Sequence, residues 1–230
     1  MRSLLHVGII PNAHRTVARL RGLDLAQTYV KGARVVINFL RWSQETNEIK
    51  DVSFFGFSCE NREREQPDID AILKGAHFFC DWAIRTGFQV HPFGHLEEFR
   101  DDPKYRSLYD KLDILRRRKH SRDKITVHVA ANYSGLPDHE QGALLDAVKL
   151  HGDVEVRAGL KDFKHLLSAN VPEMQLVIRT GGEHRLSGFL VNQAAYAELL
   201  FLGKPWVDFT KQDFDESIAW YRRQNHKHGK

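Results

Sequence analysis

The stretch Val177-Ile178-Arg179-Thr180-Gly181-Gly182-Glu183-His184-Arg185-Leu186-Ser187-Gly188-Phe189 joins a short apolar run to a turn rich in glycine, arginine and hydroxyl groups. A brief apolar run bounded by a glycine turn reads as a buried strand. The turn itself suits an anion. Backbone N–H groups at the glycines, the guanidinium forks of Arg179 and Arg185 and the Ser187 hydroxyl together match a phosphate or diphosphate, whose charged oxygens need many donors. A strand that delivers such a turn at its carboxyl end fits an open α/β sheet, where ligands bind beyond the strand ends.

The rest of the chain repeats that rhythm. Short runs rich in Val, Ile and Phe predict strands over residues 5–10, 51–57, 88–93, 125–132 and 176–179, and longer patterns predict helices over 26–42, 69–86, 105–118, 140–150 and 211–226. Strands separated by helices imply an α/β fold, with a mostly parallel central sheet covered by helices. The polar residues of interest come after the strands, at 11–16, 58–64, 132–138 and 180–187. No internal repeat, low-complexity tract or linker interrupts the pattern, and one domain over residues 1–230 is expected.

Composition narrows the function classes. The formal charge of +4 rests on 34 basic against 30 acidic residues, so the excess is small and a diphosphate ligand explains it as well as nucleic acid does. The densest basic run, at 116–120, sits among Asp110, Asp113 and Asp123 and reads as solvated surface. With no basic stripe interleaved with aromatics, a nucleic-acid partner is not expected. Cys59 and Cys80 are the sole cysteines, which gives neither a disulfide framework nor a C-x-x-C metal pattern and fits a reducing compartment. The apolar start is broken by His6, and no stretch approaches the roughly 20 apolar residues of a membrane span. A cytoplasmic protein without a transmembrane segment is the expectation.

The 177–189 segment, with Ala195-Tyr196-Ala197-Glu198-Leu199-Leu200-Phe201 and Lys204-Pro205-Trp206-Val207-Asp208-Phe209 after it, resembles the C-terminal signature of the cis-prenyltransferases, the undecaprenyl diphosphate synthase family. The resemblance extends from His6 to the C-terminus. It implies a Mg²⁺-dependent transferase of prenyl groups, acting on allylic prenyl diphosphates as a homodimer. In the family pattern R-T-[GS]-G-E-x-R-[LI]-S-N-F, the matching residues Arg179, Arg185 and Ser187, with His184 between them, are implied ligands of one diphosphate. Glu198 matches a metal-linked carboxylate, read here as lying on a helix.

The N-terminal half departs from the pattern. His6-Val7-Gly8-Ile9-Ile10 is similar to the family's first strand, but the usual D-G-N-x-R-W is replaced by Asn12-Ala13-His14-Arg15-Thr16-Val17. Asn12 stands where the family has an aspartate that helps hold Mg²⁺ and promotes departure of the allylic diphosphate. A carboxamide can offer a carbonyl oxygen to a metal, but no negative charge. Ala13, His14, Arg15 and Thr16 are candidate diphosphate contacts on the neighbouring turn. Leu25 and Tyr29 occupy positions where an arginine and a histidine are usual. Gly56-Phe57-Ser58-Cys59-Glu60-Asn61-Arg62-Glu63-Arg64 resembles A-F-S-x-E-N-W-x-R, so Ser58, Asn61 and Arg64 are implied to position the allylic substrate. Arg62 replaces the tryptophan and is expected to make the substrate-facing loop more polar. Asn132-Tyr133-Ser134-Gly135 resembles the family's N-Y-G-G turn. Phe78, Phe79 and Trp82, with Phe88 and Phe93 beyond them, are expected to shorten the hydrocarbon tunnel.

An intact second diphosphate site beside an altered first one suits an irregular coupling, in which two allylic diphosphates join into a short branched, lavandulyl-type diphosphate. Dimethylallyl diphosphate would be the acceptor and a dimethylallyl or geranyl diphosphate the donor. Cyclisation is left open. The alternatives are a regular short-chain cis-prenyltransferase using isopentenyl diphosphate, and a non-catalytic partner subunit.

Overall fold

The computed structural model describes residues 4–118, 125–135 and 171–224. The helix predicted over 140–150, together with Leu136 and Asp138 of the fourth-strand turn, lies outside the described residues. Within them the strands are β1 (Leu5–Ile10), β2 (Ile49–Ser58), β3 (Val90–Phe93), β4 (Thr126–Tyr133), β5 (Leu176–Arg179) and β6 (Glu198–Phe201). The helices are α1 (His14–Arg21), α2 (Leu25–Thr46), α3 (Gln66–Thr86), α4 (Leu96–Asp101), α5 (Arg106–Arg116) and α6 (Lys211–Arg222).

The strands form one six-stranded sheet in the order β3-β4-β2-β1-β5-β6, and each of its neighbouring pairs runs parallel. β1 and β5 are buried along their whole length, which is why they read as continuous apolar runs. Side-chain alternation sends Val7 and Ile9 into a core shared with Phe39, Leu40, Ile69 and Trp206, whereas Ile10 meets Tyr133, Met174, Val177 and Phe189 on the opposite face. Along β2 the pairing with β4 slips around Gly56, so that Phe54 and Phe57 share one face. Such a bulge re-aims the strand end, here the one carrying Ser58.

Local chemistry sets the helix ends. Asp24 accepts the Gln27 N–H at 2.7 Å at the start of α2, and Asn47 ends it at φ 52°. Pro67 lies in the first turn of α3, where its missing N–H costs nothing, and Gly87 closes the helix at φ 69°. Thr210 caps α6 by accepting from the Asp213 N–H.

The sheet also buries polar groups. His6 Nε2 is 2.8 Å from Ser53 Oγ, its Nδ1 is 3.0 Å from the Pro172 carbonyl, and His128 Nε2 is 2.9 Å from Asp51 Oδ1. Burial, helped by the nearby His128, pulls His6 down to about 4, so it sits in the sheet as a neutral imidazole.

Candidate active site

A cavity of about 490 Å³ opens at the carboxyl ends of β1, β2 and β5, against α1, α2 and α3. Its volume falls among those of small-molecule sites, roughly 300–1,000 Å³. Asn12, Ala13, His14, Arg15, Thr16, Ser58, Asn61, Arg64, Arg179, Arg185 and Ser187 all line it. An apolar part is lined by Ala33, Val36, Phe54, Phe57, Ile72, Phe79, Leu108 and Leu112. Polar donors therefore meet a hydrocarbon pocket.

The loop after β1 is held in place by backbone bonds. The Asn12 N–H donates to Thr180 Oγ1 at 3.1 Å, and the Asn12 carbonyl accepts from the Trp206 N–H at 3.1 Å. Trp206, fully buried, also donates its indole N–H to the Gly32 carbonyl at 3.0 Å. It bolts the loop to α2, a role its bare presence in the sequence does not signal. Ala13 then turns the chain with φ 72° and leads directly into α1. The first-turn N–H groups of α1, at His14, Arg15 and Thr16, face no capping side chain, and a helix start of this kind attracts anions.

These donors replace the ones expected from the glycine turn. Gly181 N–H donates to the Lys204 carbonyl at 2.9 Å and Gly182 N–H to the Leu202 carbonyl at 3.0 Å. Both amides are spent on the backbone beyond β6. The C-terminal signature offers side chains instead. Arg179 Nη1 donates to the Arg185 carbonyl and, at 2.9 Å, to Ser187 Oγ. Arg179 is 4% exposed and its Nε has no partner among the described residues. Burial, with Arg185 nearby, lowers its proton affinity below the arginine norm. Arg185 pairs with Glu183.

On the other side, Arg15 pairs with Asp68 at 2.8 Å. Arg64 Nη1 donates to the Tyr29 hydroxyl at 3.4 Å, and the His14 ring stacks on Tyr29 with centroids 4.6 Å apart and planes 2° apart. Burial, then the Arg64 charge, holds His14 down to about 4, while burial raises the Tyr29 phenol. Both rings are therefore neutral near pH 7. The Asn61 side chain accepts the Ser58 N–H at 3.3 Å, so these two shape the turn that presents Arg64.

Several expectations need correction. His184 is not part of the cavity wall; its ring packs 5.1 Å from that of Phe201. Glu198 begins β6 and is not helical. It lies opposite Leu176, three residues from the Arg179 end, about 10 Å along a strand, and does not line the cavity of its own chain. Arg62 turns away from the cavity: it pairs with Glu98, lies 3.7 Å from Asp102 and covers the Tyr105 ring. Asn132, by contrast, has the structural part its turn suggests, donating to the His95 carbonyl at 2.9 Å and to the Glu98 carboxylate at 3.0 Å. Of the rings expected to shorten the pocket, Phe79 alone lines it. Trp82 and Phe88 are core, Phe78 lies under Arg34, and Phe93 packs on the far face of the sheet. Phe54, Phe55 and Phe57 of β2 take their place.

Comparison with known proteins accounts for this assembly. The family model Prenyltransf, that of undecaprenyl diphosphate synthase, matches residues 10–229. An isoprenyl transferase of Thermotoga maritima is 31% identical, the alignment covering 100% of this chain and 98% of the relative. A tritrans,polycis-undecaprenyl-diphosphate synthase (geranylgeranyl-diphosphate specific) of Pyrobaculum aerophilum is 30% identical, covering 98% of this chain and 95% of the relative. The crystal structure of lavandulyl diphosphate synthase from Lavandula x intermedia, in complex with dimethylallyl diphosphate, shares the fold with a TM-score of 0.76 at 22% identity, covering 98% of each chain. A parallel sheet that opens at its carboxyl end onto arginines above a hydrocarbon pocket is thus the work of a prenyl transferase, and the chain belongs to the undecaprenyl diphosphate synthase family.

Proposed function

We propose that the protein joins two allylic diphosphates into a short, branched, lavandulyl-type diphosphate. The observation that carries this reading is the asymmetry of the cavity. The half built from Arg179, Arg185 and Ser187 keeps the family pattern, while the half around Asn12 has no carboxylate and gives its Arg15 to Asp68 and its Arg64 to a phenol. A cavity that must hold two allylic diphosphates and ionise one of them calls for such unequal halves.

In this reading Arg179, Arg185 and Ser187 hold the acceptor by its diphosphate. Arg64, Thr16 and the first-turn N–H groups of α1 hold the donor diphosphate and stabilise the charge that builds on it as its bond to C1 breaks. The cation at C1 is attacked by the C2=C3 bond of the acceptor, forming a C1–C2 bond and a tertiary cation at C3. Phe54, Phe57 and Phe79 keep water from both cations. The released diphosphate, oriented by the Ser58–Asn61 turn, takes the proton that restores a double bond.

Magnesium fits this site in a limited way. Among the described residues no group of three or more His, Cys, Asp or Glu could hold a metal ion, and Glu183, the one carboxylate on the cavity wall, is paired with Arg185. The Asn12 side chain makes no hydrogen bond to the described residues, so its carbonyl oxygen is available to an ion held chiefly by diphosphate oxygens. Such an ion would neutralise the leaving group. A homodimer would be the means of bringing Glu198 of the partner subunit near the site, since the chain's own Glu198 lies on the edge strand away from it.

A second reading, regular elongation with isopentenyl diphosphate, is favoured by the names of the relatives, which are mostly undecaprenyl or isoprenyl transferases. Mass spectrometry and NMR of the dephosphorylated product separate the two. Dimethylallyl diphosphate alone with Mg²⁺ is expected to give a branched alcohol. Linear products that form only when isopentenyl diphosphate is added would replace this reading with the second. Asn12→Asp is the companion test, and gain of linear elongation in that variant would mark Asn12 as the residue that sets the choice.

A further inference from the structure

Arg64 is the one cavity arginine on the Asn12 side that makes no ion pair among the described residues. Its contact is neutral, the Tyr29 hydroxyl. We propose that Tyr29 is a positioning residue, whose phenol orders the Arg64 guanidinium toward the donor diphosphate without neutralising it. The proposal rests on the reading that this half of the cavity takes a diphosphate.

Tyr29 is well placed to act as a fixed post. Its backbone lies against Gly75 of α3, where an added Cβ would come within 2.9 Å of the Tyr29 carbonyl oxygen. Its ring is covered by the parallel His14 ring. His14 in turn fits because Gly32, one turn along α2 from Tyr29, has no side chain; a Cβ there would lie 2.2 Å from His14 Nε2. Two glycines and one histidine thus fix the phenol before any ligand arrives. Arg64, by contrast, comes after a short 3-10 turn (Cys59–Glu63) and has a long, rotamer-rich side chain, whose freedom an unanchored guanidinium would lose on binding.

The choice of partner matters. A carboxylate in place of the phenol would order Arg64 but cancel its charge toward an anion. The phenol accepts a hydrogen bond and leaves the full positive charge for the ligand, and burial keeps it protonated. At 3.4 Å the contact is longer than an ordinary N–H···O hydrogen bond of roughly 2.7–3.2 Å, so the positioning role requires that it shorten when the diphosphate binds.

The test is a double-mutant cycle of Y29F and R64M, read by calorimetric binding of dimethylallyl S-thiolodiphosphate, which does not ionise. Y29F keeps the stacked ring and should weaken binding about fivefold, the size of one long, weak hydrogen bond, with an unchanged thermal midpoint. In the R64M background the same change should alter binding by less than about twofold, because its effect passes through Arg64. Equal losses in both backgrounds, no loss in either, or a Y29F protein that fails to fold would each overturn the positioning role. A wild-type protein that does not bind the analogue at all would instead bring down the donor-site reading, and the proposal with it.

Discussion

Ala13 is held at φ 72°, a left-handed backbone that costs a residue with a Cβ roughly 1–2 kcal/mol. It turns there because Asn12 is tied to Thr180 and Trp206 while α1 must begin at His14. Ala13→Gly should therefore stabilise the protein by about 1 kcal/mol, after the extra freedom glycine gives the unfolded chain is subtracted; urea midpoints at constant slope would show it. At this scale the sequence told which residue types gather at the site but not which way each turns. Arg179, Arg185, Ser187, Asn12 and Arg64 share one cavity, yet the backbone amides of Gly181 and Gly182, which looked ideal for a phosphate, are taken by Lys204 and Leu202. Arg62 misled for a similar reason. A new charge beside a site reads as a site residue until Glu98 and Asp102, some forty positions on, are seen to claim it.

Two helix glycines separate packing from function. At Gly75 an added Cβ meets the backbone of Tyr29 on α2, which cannot yield without moving the helix, so Gly75→Ala should cost about 1–3 kcal/mol despite better helix propensity. At Gly32 it meets a side chain, the His14 ring. Gly32→Ala should leave the urea midpoint near that of the wild type and lower kcat/KM about tenfold, as the displaced ring uncovers Tyr29 and crowds the cavity. If stability rather than turnover falls in the Gly32 variant, the His14 stack is structural. Elements with strong periodicity were readable in advance: β1 and β5 have the bounds the apolar runs predict, and α2, α3, α5 and β4 differ from expectation only at their ends. α1 was not, because His14–Arg21 is basic and starts with no side-chain cap. β6 was not either. Glu198-Leu199-Leu200-Phe201 lacks the alternation of a half-buried strand, and only its place beside β5 makes it one.

For the molecule as a whole, acid is the sensitive direction. His6 is folded around as a neutral imidazole at about 4 against an ordinary 6.5, so its contribution is complete above about pH 6.5 and drains away as the pH falls toward 4. The loss approaches about 1.4 kcal/mol for each pH unit inside that window. Urea midpoints at pH 7.5 and 5.0 should differ accordingly, and His6→Gln should flatten the difference in part, His14 titrating in the same window. No described helix is long and apolar enough to cross a membrane. The strand order has a consequence of another kind. β1 lies between β2 and β5, pairing Val7 with Leu176, so β1 must wait for a neighbour that emerges some 170 residues later. At ribosomal speeds of about 5–20 residues per second, the nascent chain spends on the order of ten to thirty seconds with one edge of β1 uncovered. Since the Asn12 loop is tied to Thr180 and Trp206, the two halves of the site can meet only once those two residues have emerged, and a chain cut short before Thr180 would carry the donor loop with nothing to close against.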